Sequence, residues 1–423
     1  MIGLMDPKKN KIKKRRFSSP ALVSVFVTFL GLSVSCSDDD AGVRPDALVD
    51  AGAEGDVSLS PDGGQGDAQL PDASRPDAAS PEVFVTFFDV GQGDSTLVES
   101  SENEAVLVDT GRTIDNAERL GEDLWGAPPD YTLLVISHYD ADHMGSSDRF
   151  VCGPDGMPGV AGVDDDGDGE ADSRVASGEY GYPGSDDFLF DSVWDRGDVE
   201  IPTSVQVEEY LAALSSLRYR PNLGDSVDLG LDGFQIEVVT IDGEIVGGES
   251  FTAEDENARS VSLLVTFGGF HLLLPGDLPT QGEDLLAAAL ADRGLSLDVL
   301  HLSHHGSNTS TGQSLLDLLQ PEVAIVSVGD SGSCGAGFNA YGHPSQEVLD
   351  RLDASSVQMV FQTQQGGAIP ETGQCSPAQG ETYPRDYGAL EVVFAFGDIG
   401  LQCDGEAYSV QVPGNVYDFG VDE

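Results

Sequence analysis

The run Ser137-His138-Tyr139-Asp140-Ala141-Asp142-His143 puts four metal-competent side chains within six residues. It follows the apolar stretch Tyr131–Ile136, so it sits on the exit from a predicted strand. Imidazole and carboxylate together suit zinc, manganese or iron. Three further motifs repeat the placement. Asp277 leaves the apolar run Leu272–Leu274 through Pro275-Gly276. His301-Leu302-Ser303-His304-His305-Gly306-Ser307 ends another strand, and adjacent histidines there point in different directions, so that one can face a metal while the other packs. His343 lies in Tyr341-Gly342-His343-Pro344-Ser345, just before a helix. The chain has 7 histidines. His138, His143, His304, His305 and His343 fall in these motifs, whereas His271 and His301 read as structural. Aspartate and histidine gathered at several strand ends is the arrangement of a dinuclear metal hydrolase.

The elements that must carry these motifs follow from the apolar pattern. Short β-type runs cover Val83–Phe88, Ala105–Val108, Tyr131–Ile136, Phe234–Ile241, Ser260–Phe267 and Phe270–Leu274. Later strands, Leu297–Leu302, Val323–Val328, Val357–Gln362 and Leu390–Phe396, alternate with helices at Gly282–Ala291, Gln313–Leu319 and Ser345–Leu352. A further helix is predicted at Thr113–Leu124, and a loop-rich insertion spans about 150–198. Hairpin-like strands followed by strand–helix alternation fit two mixed sheets with helices outside them, an α/β architecture.

In order and wording the motifs resemble the metallo-β-lactamase superfamily. The resemblance rests on Phe87-Phe88-Asp89-Val90-Gly91-Gln92-Gly93-Asp94-Ser95, Leu107-Val108-Asp109-Thr110-Gly111, Ser137–His143, Asn257-Ala258-Arg259-Ser260, Pro275-Gly276-Asp277, Ser303–Ser307 and Tyr341–Ser345. Within the superfamily the chain is similar to the C-terminal hydrolase domain of the DNA-uptake competence protein ComEC, from about Val83 to Ala368. The resemblance implies a four-layer αββα sandwich with the metal site at one edge. It places His138 and Asp140 on one metal, Asp142, His143 and His343 on the other, and Asp277 between them. Asp140 stands where most of the superfamily has a second histidine. No histidine lies between residues 144 and 270 to supply a further usual ligand. The first site is therefore oxygen-rich, which favours manganese over zinc and counts against a true β-lactamase. Asp109 would orient the ligand loop from behind, with Asp89, Asp94, Asn257 and Ser260 also beside the site.

Charge and flanking segments bound the setting. The chain carries a net −54, and no lysine follows Lys14. Lysine chemistry such as a P-loop or a Schiff base is excluded from the domain, and tight binding of long polyanions is disfavoured. Residues 1–35 read as an export signal, with a basic stretch at Lys8–Arg16 and a short apolar one at Ala21–Val34. Ser33-Val34-Ser35-Cys36 resembles a lipobox, so Cys36 is the expected lipidation site and membrane anchor of a lipoprotein facing the periplasm or cell exterior. Residues 36–82, rich in Asp, Ala, Gly and Pro, form a solvated tether. The hydrolase domain then runs from 83 to 423. Within the insertion, Asp164, Asp166, Asp168 and Asp172 match a calcium-loop pattern, with Val175 where an EF-hand has Glu. Cys152, Cys334, Cys375 and Cys403 allow up to two disulfides.

The expected function is an exported, lipid-anchored hydrolase holding two divalent transition metals (zinc or manganese), with calcium as a further ion. It would cleave phosphodiesters by a metal-activated hydroxide. Asp142 contributes to catalysis, and His304 or His305 gives a proton to the leaving oxygen or binds phosphate. The alternative is a calcium-binding surface module on a degenerate hydrolase fold. No protein partner can be inferred.

Overall fold

Alternating apolar residues in the strands, one set facing inward and the other outward, dictate how this molecule is layered. The computed structural model describes residues 81–112, 130–145, 147, 190, 192–329, 341–367 and 385–421. The expected signal, the tether to residue 80, the helix at Thr113–Leu124 and the calcium loop lie outside these residues.

The first half supplies β1 (Val83–Phe87), β2 (Thr96–Ser100), β3 (Glu104–Val108), β4 (Asp130–Val135), β5 (Ser192–Trp194) and β6 (Arg218–Tyr219). Then come β7 (Ser226–Val227), β8 (Phe234–Ile241), β9 (Glu244–Ile245), β10 (Ser262–Phe267), β11 (Phe270–Leu274), β12 (Val299–His301), β13 (Val323–Val326), β14 (Met359–Gln362) and β15 (Glu391–Phe394). The chain closes with β16 (Ile399–Cys403), β17 (Ala407–Val412) and β18 (Asn415–Gly420). One sheet runs β18-β17-β16-β1-β2-β3-β4-β5-β6, and the other β15-β14-β13-β12-β11-β10-β8-β7 with β9 on β8. Both are mixed. β3 to β6 and β11 to β15 pair parallel, and the remaining ladders are antiparallel.

The period-two pattern sets the layers. Val83, Val85 and Phe87 of β1 and Val106 and Val108 of β3 face Val265, Leu272, Leu274, Val299 and Ile325 across the inter-sheet core. The alternate residues Leu264, Leu273, Leu300, Ala324 and Val326 turn outward. They bury against Leu286 and Leu290 of a helix at Thr280–Asp292, Leu315 and Leu319 of another at Gln313–Leu319, and Leu349 and Leu352 of a third at Gln346–Asp353. On the other outer face Leu97, Leu107, Leu134 and Val193 pack on Val207, Tyr210 and Leu214 of the helix Val205–Leu214. In chain order we number these helices α1 (Ala141–Met144), α2 (Val205–Leu214), α3 (Thr280–Asp292), α4 (Gln313–Leu319) and α5 (Gln346–Asp353). Helix, sheet, sheet, helix is the expected αββα sandwich. Ser204 and Ser345 start α2 and α5 as N-caps, accepting from Val207 N and Val348 N.

β2, β6, β7 and α2 form where the sequence reading assigns no element, and three further features differ. The chain does not end its strands at β15: β16 to β18 follow and pair onto β1 as a meander. The tail of the segment read as a loop-rich insertion forms β5, the parallel neighbour of β4. Among the described residues Cys403 is a buried free thiol, pushed up to about 12 by burial. Cys152, Cys334 and Cys375 lie outside them. Among the described residues no helix is long and apolar enough to cross a membrane.

One buried carboxyl fixes the loop that matters most. Glu283 of α3 is fully buried. It accepts from Ser303 Oγ at 2.5 Å, Thr311 N at 2.8 Å and Gly312 N at 2.8 Å. It thereby grips both ends of the β12–α4 connection. Burial outweighs these three bonds and raises its pKa from the usual 4.5 to about 6. Folding therefore favours the protonated acid. The stability gained this way is full below pH 4.5 and is lost as pH rises through about 6, a change of about 2 kcal/mol. Unfolding free energies measured by denaturant across this window should fall for the wild type. The Glu283→Gln chain should lack that component, and equal slopes would contradict the assignment.

Candidate metal centre

The strand ends of both sheets meet at one edge, and each delivers one piece of the site. Beyond β4, Ser137–His143 turns into α1. Asp109, at the end of β3, adopts a left-handed φ of 60°, which aspartate tolerates better than most residues. That bend aims its carboxylate under the loop. Oδ1 accepts from Ser137 N at 2.7 Å, and Oδ2 from Ser137 Oγ at 2.7 Å and His143 Nδ1 at 2.8 Å. Gly93 is needed for close approach. Its φ is +151°, and a Cβ there would stand 2.4 Å from the Asp142 carbonyl oxygen, to which Asp94 N donates at 3.0 Å.

Asp277 follows β11. Its backbone N donates to Ser260 Oγ at 3.1 Å, and Ser260 donates to the Asn257 carbonyl at 2.8 Å. The β12 end carries His304 and His305 at successive left-handed φ values of 53° and 54°. Such a pair of non-glycine residues is strained, and the Glu283 grip on Ser303 and Thr311 holds it.

Three imidazoles share one design. His143 Nδ1 is held by Asp109, His305 Nδ1 donates to the Ser327 carbonyl at 3.1 Å, and His138 Nδ1 contacts Ser137 Oγ at 3.0 Å. In each ring the other nitrogen, Nε2, is buried with no hydrogen-bond partner, and so is Asp277 Oδ1. Buried polar atoms normally find partners. Anchoring one imidazole nitrogen so that the other points inward is how proteins present histidine to a metal. The residues fit divalent cations.

Asp277 divides the cluster. Its Oδ1 faces His143 Nε2 at 3.2 Å and His305 Nε2 at 4.0 Å, while Oδ2 faces His304 Nε2 at 3.5 Å and His138 Nε2 at 3.8 Å. Asp142 Oδ2 lies 3.7 Å from His305 Nε2, and Asp140 Oδ2 3.6 Å from His138 Nε2. Metal-competent groups form at His138, His143 and Asp277, and at Asp142, His143 and His305. A third, Asp94, Asp109 and His143, lies on the Nδ1 side of His143.

The electrostatics follow from this packing. Burial alone would push His143 and His305 down. Asp277 and Asp109 outweigh it at His143, and Asp94, Asp277 and Asp142 at His305, so both stand well above the usual imidazole range. Burial would raise Asp277, but His143, His305 and His304 hold it well below the carboxylate range. Burial raises and His305 lowers Asp142, and the lowering wins. His304 is lowered by burial. His343 is driven to about 3 by burial and then by the charges of His305 and His304.

The sequence-assigned residues distribute as follows. His138, Asp140, Asp142, His143 and Asp277 converge. Of His304 and His305, either of which was expected to give a proton or bind phosphate, His305 lies in a metal-competent group. His343, assigned as a ligand, has its ring centroid 5.6 Å from that of His304 and 6.4 Å from that of His305. Asp109 and Ser260 touch the ligand loops. Asn257 Nδ2 lies 3.3 Å from His304 Nδ1, and Asp94 Oδ1 lies 3.2 Å from His305 Nδ1. Asp89 N donates to Asp398 Oδ1 at 2.7 Å, and its carboxylate takes Gln364 Nε2. His301 is buried, 3.7 Å from Asp94 Oδ1 and bonded to Ser327 Oγ at 2.9 Å.

The sequence reading missed a second network. Arg196 is fully buried, grips Glu256 through two bonds of 2.6 and 2.7 Å, and stacks over Tyr139 with its guanidinium carbon 4.2 Å from the ring centroid. Glu256 also accepts from Tyr139 N at 2.7 Å. Because Tyr139 sits between His138 and Asp140, this pair steadies the ligand loop, and Asn257, next to Glu256, reaches His304. No local signal announces a contact across 117 residues.

A family model for the metallo-beta-lactamase superfamily matches residues 88–151. ComE operon protein 3 of Bacillus subtilis (strain 168) is 26% identical over 307 residues, 69% of this chain and 33% of that protein. Competence protein ComA of Neisseria gonorrhoeae is 29% identical over 304 residues, 70% of this chain and 33% of that protein. The chain spans about a third of the length of these curated relatives. Among solved structures, CmlA, a diiron beta-hydroxylase from Streptomyces venezuelae, gives a TM-score of 0.30 at 9% identity, covering 59% of this chain and 45% of that one. The resemblance to the metallo-β-lactamase superfamily, and to ComEC-like proteins within it, holds by sequence. Together with the histidine–carboxylate cluster it supports a metal-dependent hydrolase binding divalent cations.

Removing the Asp109 anchor should loosen the centre. Asp109→Asn should weaken metal affinity by about 10- to 100-fold, the usual cost of losing such a support, as read by chelator competition. Because His143 and His305 hold protons more tightly than free imidazole, metal retention should begin to fall at a pH above the ordinary value of about 6.5. Wild-type affinity in Asp109→Asn would contradict this role.

Proposed function

We propose that this protein is a metal-dependent phosphodiesterase, exported and tethered to a membrane through lipid on Cys36. The observation that carries the enzymatic reading is the convergence of three buried, unpartnered Nε2 atoms on Asp277. A degenerate hydrolase fold acting as a calcium module would have no reason to keep those atoms aimed and dry. Divalent zinc or manganese held there would supply Lewis acidity, activating water and neutralising charge on a phosphoryl group.

The chain's own residues support the remaining steps. His304 is a quarter exposed whereas His305 is 1% exposed, so His304 is the ring that substrate can reach. Its lowered pKa keeps it neutral, suited to donating a hydrogen bond to a phosphoryl oxygen. Arg112, at the open side, has Nη2 3.6 Å from Asp142 Oδ1 and offers a cation to the substrate. The net −54 repels long polyanions, so a short phosphodiester is the favoured substrate and nucleic acid the less favoured one.

The purified full chain, loaded with manganese or zinc, should hydrolyse bis(4-nitrophenyl) phosphate. Asp142→Ala should lower kcat/KM by at least about 100-fold, the scale of losing a group that stabilises transition-state charge. Activity equal in the variant, or absent from the metal-loaded wild type, would sink the reading. Cys36→Ser should move the protein from the membrane fraction to the soluble one, and unchanged partitioning would remove the anchor from the proposal.

A further inference from the structure

Tyr341 is 63% exposed, yet its ring is ordered against the site. It lies flat on His343, with centroids 5.7 Å apart and planes 16° apart. The His343 ring is 5.6 Å from that of His304, and His304 Nε2 is 3.5 Å from Asp277 Oδ2. An exposed aromatic face therefore ends a row of rings that begins at the carboxylate dividing the metal cluster. A lone exposed tyrosine needs no explanation; one stacked in line with a metal centre is placed to receive a ring.

A second observation lies beside it. Arg385 donates to the carbonyl of Gly342, the residue between Tyr341 and His343. Its Nε is buried and has no hydrogen-bond partner among the described residues. Arg196, Arg218, Arg220, Arg259 and Arg293 each pair with a carboxylate. Among the described residues no carboxylate lies within ion-pair distance of Arg385, although the chain has 74 acidic residues. A buried guanidinium donor left unmatched is costly and suits an anionic oxygen brought by a ligand.

We propose that Tyr341 and Arg385 form a substrate subsite, in which Tyr341 stacks a planar aromatic group joined to the phosphate and Arg385 takes an anionic oxygen next to it. The preferred substrate is then a small phosphodiester bearing an aromatic base. This rests on the phosphodiesterase reading and narrows it. Stacking serves any base, because every base offers a π-face.

The test compares two esters with the same leaving group on the metal-loaded full chain: thymidine 5′-(4-nitrophenyl phosphate) and methyl 4-nitrophenyl phosphate. The ratio of their kcat/KM values should favour the thymidine ester. It should fall about 5- to 150-fold in Tyr341→Leu, the range of base–aromatic stacking, and be retained in Tyr341→Phe. In the wild type, thymidine 5′-monophosphate should inhibit more tightly than ribose 5-phosphate, a readout independent of any variant's folding. An unchanged ratio in Tyr341→Leu, or equal inhibition by the two phosphates, would overturn the subsite and leave the phosphodiesterase reading standing. Turnover of neither ester would overturn both.

Discussion

Everything at this edge depends on holding imidazole nitrogens bare in a buried place. His138, His143 and His305 each spend Nδ1 on a protein partner and leave Nε2 without one, around a carboxylate whose two oxygens face opposite halves of the cluster. Stripping polar atoms of both water and partners is unfavourable. A chain maintains such an arrangement when a ligand compensates for it. Asp277 has His138 and Asp140 on one side and His143, His305 and Asp142 on the other, and divalent metal is the ligand that such a donor set takes.

The fold answers that demand by making the edge stiff. The strands of the inter-sheet core end together, and each loop leaves a strand that is buried on both faces. Asp109 bends back under Ser137 and His143, Glu283 pins the flanks of His304 and His305, and Arg196 with Glu256 braces Tyr139. The supports come from three different places, α3, the end of β3 and the segment after β5. Moving any one of them would misplace ligands that the others hold. Strain at His304 and His305 is thus stored where the surroundings over-determine it.

Much of this was legible in the sequence where the signal is local. The ligand loop His138–His143 is contiguous, and Asp277 stands at the end of a clear apolar run, so strand-end logic placed it; Asp109 was placed by the family resemblance. Two mixed sheets with outer helices followed from alternation and from helices interposed between later strands, and the αββα order from the family resemblance. What was not legible depends on conformation or on distance. Which histidine of the His304-His305 pair turns toward Asp142 is decided by two left-handed residues, a choice spacing does not encode. His343 stands among turn residues, and only the fold sets its ring beside His304 and against Tyr341. The meander β16 to β18 was overlooked because its strands interleave polar residues with the apolar ones. Arg196 looked like one more charge in an acidic segment, and only the fold brings it to Glu256.

The central claim is that this cluster is a metal centre, and locating the metal tests it most directly. Crystals of the full chain loaded with manganese or zinc should show anomalous density enclosed by His138, His143, His305, Asp142 and Asp277. That density should be lost in Asp277→Ala. Anomalous density confined to the surface carboxylates, with the three Nε2 atoms bonded to water or to protein instead, would contradict the account.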